Sequence, residues 1–521
     1  MVSRIDEVLI VGGGTAGWLT AGILAARLNS TREDAVKITL VESPNVPIMG
    51  VGEGTWPTMR TTLQTIGVDE GEFMRECEAT FKQGSEFVNW LDSPESVGRH
   101  SYYHPLSAVF HSAHEFNLVP YWLLGEAEGR PYDEATASQV FACQQGLAPK
   151  KITTPAYDAI LNYSYHLDAH KFAAFLTRHC TEKLGVKHVR ANVTDVHLSE
   201  DGSIESVDTD HGEHSRLKAD FFVDCSGSRA LLLGGALDVP WKSVRDQVFN
   251  DTALAIQVPY DSESAPIATH TIATAHKQGW TWDIGLSSRR GVGFVYSSSH
   301  CSVDEAEQTL REYIGPSADN LEARKIGFDL GYREQFWKKN CVALGMSAAF
   351  IEPLEASAIF LIEAGANMLA EQFPRRKEAI PLVAKKYNST FALRWHKTVD
   401  FIKLHYCISR RRDSDYWIDN CDESTVPDSL KERLEHWKYH PPGKFDFDYA
   451  YEPFVLDSYL FVLYGMQFAT EIDYNKSAYV QSQSARRRFA EIQKLNQALQ
   501  AELPSQRELV DKVYKYGFQR I

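Results

Sequence analysis

A lysine, two glutamates, three glycines and two tryptophans carry the chemistry open to this sequence. Lys82 sits among Phe81, Phe87 and Trp90. An ammonium in apolar surroundings can hydrogen-bond a polar reagent; burial also lowers a lysine pKa, so the free amine is accessible. The plain alternative is a surface lysine on a helix. Glu352 and Glu355 lie three residues apart in IEPLEAS (351–357). A carboxylate there can stabilise a cationic intermediate and take a departing proton; the plain alternative is a pair on a solvated helix start. The N–H groups of Ser357 and Ala358 open the helix that follows, and anions bind at such ends. Trp280 and Trp282 in GWTWDIG (279–285) share one face if the segment is a strand. They then form either a rigid indole wall or ordinary sheet core.

The elements that position these residues begin at the N-terminus. A buried parallel strand at Val8 to Val11 runs into Gly12, Gly14 and Gly17, then an apolar helix. The first glycine permits the tight turn, the second lets backbone approach a pyrophosphate, and the third lets helix and strand pack closely. A second strand ends at Glu42, 30 residues after Gly12, where a carboxylate can accept hydrogen bonds from an adenosine ribose. Strand, glycines, helix, second strand and acid together specify a dinucleotide site. No second fingerprint follows: GVGF at 291–294 lacks the third glycine and a helix. Later strand–turn segments, LKADFFVDCSGSRA (217–230) and Val342 to Leu344 with Gly345 and Met346, favour one FAD held by distant parts of the chain.

The expected fold class is α/β: a Rossmann-like, flavin monooxygenase-type FAD module over residues 1–375, discontinuous, with a mostly helical C-terminal cap over 376–521. Within the module, residues 100–150 read as an irregular insert. Residues 150–235 read as a helix and two strands, and 245–300 as a β-rich segment facing substrate. Residues 438–453 read as a long loop of the kind that serves as a lid.

With 521 residues, 44% hydrophobic and 12% aromatic, the chain buries a large core. Its net charge of −15 argues against nucleic acid and anionic membranes as main partners. Eight cysteines without C-x-x-C or a His/Cys cluster read as buried free thiols in a reducing cytoplasm, with no metal site. No signal peptide and no 18-residue apolar stretch is found.

The sequence resembles the flavin-dependent tryptophan halogenases over nearly its whole length. The resemblance rests on GGGTAGW (12–18), GVGEGTWPT (50–58), ATFKQGSEFVNW (79–90), YYHP (102–105), GWTWDIG (279–285) and IEPLEAS (351–357). It implies an enzyme that halogenates an electron-rich arene with reduced FAD, dioxygen and chloride or bromide. A separate flavin reductase would supply the FADH2, and a homodimer is one assembly the resemblance allows. Lys82 falls on the family's catalytic lysine, which receives hypohalous acid, and Glu355 on the glutamate used beside it. Ser357 and Ala358 match the halide site, and Trp280 and Trp282 the wall between flavin and substrate. The candidate cofactor contacts are Gly12, Gly14, Thr15, Ala16, Gly17, Glu42, Gly50, Val51, Val193, Met346 and Ile359.

Departures from the family pattern bear on substrate. Ala356 replaces a hydroxyl beside Glu355, and Gly285 stands where proline is usual. In the substrate pocket, His104, Pro105 and Phe454 are kept, but Leu106 and Val455 stand where aromatic residues are usual. The tyrosine pair that clamps an amino-acid carboxylate has only misplaced candidates, Tyr449 and Tyr451. Free indole or a larger indolic or phenolic arene is therefore expected over free tryptophan. The competing classes are a flavin-dependent hydroxylase on the same fold and a flavin-binding protein without turnover.

Overall fold

The computed structural model describes residues 4–28, 32, 35–46, 52–107, 113–448 and 451–518. Gly50, Val51 and Tyr449 lie outside the described residues. The chain divides into two units, each assembled from three stretches of sequence.

The first unit comprises Met1–Ala79, Leu167–Val244 and Phe328–Trp395. Its main sheet has six strands in the order Trp337–Lys338, Cys341–Ala343, Phe221–Asp224, Glu7–Val11, Lys37–Glu42 and Lys187–Arg190. All neighbours are parallel except the Trp337–Lys338 edge. Glu7–Val11 is central and buried beyond its first residue, as suits a strand covered on both faces. The helix Thr15–Arg27 packs against Ala169–Lys183 and Ser357–Glu371.

The stretch 150–235 holds more strands than the two expected. Ser164–Leu167, Lys187–Arg190, Val193–Leu198, Ile204–Thr209, Arg216–Lys218 and Phe221–Asp224 are all extended. Three of them form a small antiparallel sheet, and Val193–Leu198 has no fully buried residue. A strand so exposed gives no apolar alternation to read.

The second unit comprises Thr80–His166, Arg245–Gly327 and His396–Ile521. Its seven-stranded sheet runs Arg324–Gly327, Thr252–Pro259, Arg289–Tyr296, Gly279–Gly285, Thr271–Ala275, Gly84–Val88 and Ser101–Pro105. Only the Thr271–Ala275/Gly84–Val88 pair is parallel. Residues 100–150 are more ordered than an irregular insert. They hold the strand Ser101–Pro105 and the short helices Val119–Leu123, Tyr132–Thr136 and Ser138–Gln144. Ser138–Gln144 packs on Ser482–Glu502, and Leu456–Gly465 packs on the strand Ser101–Pro105.

Six cysteines are buried and unpaired; Cys407 and Cys421, also free, are half-buried. Among the described residues no helix is long and apolar enough to cross a membrane.

Candidate active site

In the first unit the glycine turn is shaped by close backbone approach. Gly12 has φ +118°, and a Cβ on it would lie 2.1 Å from the Cys225 carbonyl oxygen. A Cβ on Gly17 would lie 1.8 Å from the carbonyl oxygen of Gly12. At Gly13 a Cβ would run into the Glu42 side chain, which pairs with His188 at 2.9 Å. Gly14 differs: nothing lies within 4 Å of a Cβ there. The helix beginning at Thr15 has no side-chain cap and no acidic residue in its first turn. Its first N–H donors, which have no intrahelical partner, thus face an open cradle beside Glu42, which fits a dinucleotide pyrophosphate.

The turn of one further expected cofactor residue, Met346, packs against this helix start. Gly345 has φ +72°, and a Cβ on it would meet the Ala16 methyl at 2.7 Å, which sets the Met346 turn against the helix start. That turn is a short 3-10 segment, Gly345–Ser347, and the helix follows only at Ser357. Val193 opens a half-exposed strand just after Asn192, whose side chain accepts from Ser43 at 2.6 Å, next to Glu42. Ile359 is buried in the first turn of Ser357–Glu371.

Glu352 and Glu355 precede this helix instead of sharing a face of it, and both are buried, so neither is the solvated pair considered above. Pro353 and the left-handed Ala356 (φ 51°, ψ 38°) hold the segment in a turn. A non-glycine residue in that conformation costs about 1–3 kcal/mol and persists only where its surroundings fix it. The helix has no side-chain cap, and its first N–H groups, on Ser357 and Ala358, have no intrahelical partner.

Sequence reasoning missed Glu363, whose signal, an acid in an otherwise apolar helix, is weak. It is 1% exposed and accepts from the hydroxyls of Thr62 (2.5 Å) and Thr58 (3.2 Å). Burial pushes its pKa up to about 8, against the partial relief of those two bonds. Its folded pKa lies above the unfolded value, so its contribution is greatest at low pH and is lost as pH rises between about 4.5 and 8. Glu363→Gln keeps an acceptor for the threonines and removes the titration. At pH 8 it should stabilise the fold relative to wild type by about 3 kcal/mol more than at pH 5. Urea unfolding at the two pH values checks this; parallel pH dependence in both proteins would contradict it.

In the second unit Lys82 ends the strand Thr80–Lys82 and is 2% exposed, which removes the surface-helix alternative. The Thr80 hydroxyl donates to the carbonyl of Gly285, the last residue of the two-tryptophan strand, at 2.5 Å. The Gln506 amide donates to the Phe81 carbonyl at 2.9 Å. His166 pairs with Thr80 across the ladder and with the Thr271 hydroxyl at 2.8 Å. Burial first, then the positive charges of Lys82 and His270, hold the His166 pKa well below its usual value, so this ring stays neutral.

Trp280 and Trp282 share one face of Gly279–Gly285, their rings 6.4 Å apart. Trp282 lies across Gly293: a Cβ there would sit 2.1 Å from the indole edge. Trp280 also packs against Trp90, at 6.2 Å. The pair is thus immobilised by packing, one ring by a glycine on the next strand.

A sequence model of the family described as tryptophan halogenase matches residues 7–481. The chain belongs to the tryptophan halogenase family. It is 37% identical over 484 residues to the tryptophan 6-halogenase SttH of Streptomyces toxytricini, covering 88% of this chain and 89% of that one. It is 35% identical to the tryptophan 7-halogenase RebH of Lentzea aerocolonigenes, covering 84% and 83%. Among solved structures, a tryptophan halogenase from Shewanella frigidimarina superposes with TM-score 0.94 at 46% identity over 99% of both chains. BrvH, a flavin-dependent halogenase from Brevundimonas, superposes with TM-score 0.85 at 31% identity over 98% of this chain and 99% of that one. These likenesses make the chain a flavin-dependent enzyme of the α/β class with a helical C-terminal region.

For this halogenase, the second unit also carries the expected pocket residues. His104 and Pro105 pair with Ser85 and Gly84, and the Leu106 N–H donates to the carbonyl of Gln83, next to Lys82, at 2.9 Å. Phe454 stacks on Phe401 at 3.9 Å, and His104 lies 5.9 Å from Phe401 and 6.2 Å from Phe461. Phe401 and Phe461 are additions the sequence did not point to, since aromatic residues in apolar helices read first as core. Val455 is half-buried at the start of Leu456–Gly465. Tyr451 is half-buried beside the same helix.

Proposed function

We propose that the enzyme uses FADH2 from a separate reductase, dioxygen and chloride or bromide to halogenate an indole ring. The observation that carries this reading is the burial of Lys82 on a strand hydrogen-bonded to the two-tryptophan strand. The cradle at Gly14, with Thr15, Ala16 and Glu42 around it, would hold FAD; bound in its reduced form, the flavin would activate dioxygen, the oxidant that turns halide into hypohalous acid. The Ser357 and Ala358 N–H groups would hold the halide against the positive end of their helix. Trp280 and Trp282 would keep the arene away from the flavin, which suppresses oxygen insertion. Lys82 would receive the hypohalous acid, as an ammonium donating to its oxygen or as an amine forming a haloamine. As halogen bonds to the ring carbon, the Glu355 carboxylate would stabilise the cationic adduct and take the ring proton; the Lys82 ammonium would give the departing hydroxide the proton that makes it water, or, on the haloamine route, that water would leave as the N–halogen bond forms.

The reductase partner has its own test. With a single dinucleotide fingerprint in the chain, NADH or NADPH alone should leave the bound flavin oxidised over many turnover times. Rapid bleaching of the flavin absorbance without added reductase would contradict this.

Substrate follows from the lost contacts. An aromatic partner is worth about 0.5–1.5 kcal/mol beyond its buried area, so leucine at 106 and valine at 455 weaken stacking. An absent carboxylate clamp forgoes charge-assisted bonds of about 1.5–3 kcal/mol. Free indole should therefore be turned over at least as efficiently as tryptophan. A loosely held indole reacts at its most nucleophilic carbon, C3. The second reading, L-tryptophan halogenated on its benzo ring, is supported by the names of SttH and RebH. Competition between the two substrates, with product position read by NMR, decides. A strong preference for L-tryptophan with one product at C5, C6 or C7 would overturn the indole reading.

A further inference from the structure

The turn carrying Glu355 is tied at one peptide from both sides. The indole N–H of Trp56 donates to the Glu355 carbonyl at 2.9 Å. The N–H of the same peptide unit, on Ala356, donates to the Pro353 carbonyl at 3.0 Å. The Trp56 ring lies flat on Phe360, one turn into the helix, with centroids 4.3 Å apart and planes 17° from parallel. The Arg394 guanidinium lies 5.7 Å from the Phe360 ring. A second tie comes from the helix that follows Trp56: Thr58 and Thr62 both donate to Glu363.

This peptide matters because of what hangs from its ends. Glu355 precedes it, and the Ser357 and Ala358 N–H groups follow. Ala356 is left-handed without being glycine, so the peptide has a lower-energy orientation available by rotation. Such a rotation would swing the carboxylate and re-aim both N–H donors together. Two hydrogen bonds at opposite ends of one peptide oppose it, and one of them comes from a side chain distant in sequence.

We infer that Trp56 is a positioning residue that locks the Glu355–Ala356 peptide and thereby aligns the carboxylate with the halide-binding N–H groups. The inference rests on the catalytic reading of Glu355 and the halide reading of Ser357 and Ala358. Trp56 acts through this peptide. Its donor, separate from its ring, is what the lock needs.

The test separates donor from ring. Trp56→3-benzothienylalanine exchanges the N–H for sulfur with nearly the same shape, and Trp56→Phe removes the donor while keeping an aromatic face for Phe360. Bromide kcat and KM are measured in each, with FAD affinity by fluorescence quenching and Tm as controls. Losing one neutral hydrogen bond at a locked position should lower kcat/KM for bromide at least about fivefold in the benzothienyl variant. Both a raised halide KM and a lowered kcat should contribute, with FAD affinity held within about twofold and Tm nearly unchanged. A smaller fall, or one seen only together with lost FAD affinity or fold, would overturn the lock. Glu355→Gln, run in parallel, keeps the two claims apart. Full product from Glu355→Gln sinks the catalytic reading; an inactive Glu355→Gln beside an unaltered benzothienyl variant overturns only the role of Trp56.

Discussion

Lys82→Ala should abolish arene halogenation while FAD binding persists. Two losses combine. A charge-assisted hydrogen bond to the oxidant is worth about 1.5–3 kcal/mol. Holding the reagent in place adds more, so a total near 4 kcal/mol, or about 10³-fold in rate, is a modest expectation. Lys82 is 2% exposed, so alanine also leaves a void. Lys82→Met keeps the stem and fills that space, and it should be equally inactive. Product yield measured with reduced FAD, dioxygen and bromide, beside FAD affinity, checks both variants. Normal yield in either would remove Lys82 from the chemistry; inactivity in alanine alone would mean that only packing matters.

Gly12→Ala should cost the enzyme its cofactor. The position combines φ +118° with a Cβ contact of 2.1 Å to the Cys225 carbonyl oxygen, so neither a rotamer change nor a flexible neighbour can relieve it. The conformational strain alone is of order 1–3 kcal/mol, and moving the Cys225 strand end adds to it. FAD affinity should fall by about 10²-fold or more, with a lower Tm. Gly14→Ala is the informative companion, since nothing lies within 4 Å of its Cβ. Its fold and Tm should stay near wild type while FAD affinity falls, because the added methyl stands where a phosphate approaches. Wild-type FAD affinity in Gly14→Ala would show that Gly14 does not face the cofactor.

The residues most legible in the sequence are those whose neighbours along the chain explain them. The strand Glu7–Val11, its glycine turn, the helix Thr15–Arg27 and Glu42 form one local unit, and their pattern alone specifies a dinucleotide cradle. Lys82, Glu355, Trp280 and Trp282 were marked by motif resemblance, and the structure explains their isolation from water. Less legible was anything set by pairing across long sequence distance. Residues 187–218 alternate too weakly to show all four of their strands, and the segment 100–150 hides short helices among its prolines and aromatics. The tie from Thr80 to Gly285 spans 205 residues and that from Trp56 to Glu355 spans 299. Glu363 is invisible because a buried carboxyl between two threonines looks, in sequence, like any helical glutamate. No periodicity encodes such contacts; only the folded chain brings them together.

The most direct measurement is a reaction of the intact enzyme with photochemically reduced FAD, dioxygen, indole and bromide, analysed by mass spectrometry for the bromine isotope pair. Brominated indole should form, should require all four components, and should vanish in Lys82→Met. A hydroxylated indole formed equally well without halide would contradict the account and make the protein a flavin-dependent hydroxylase on the same fold.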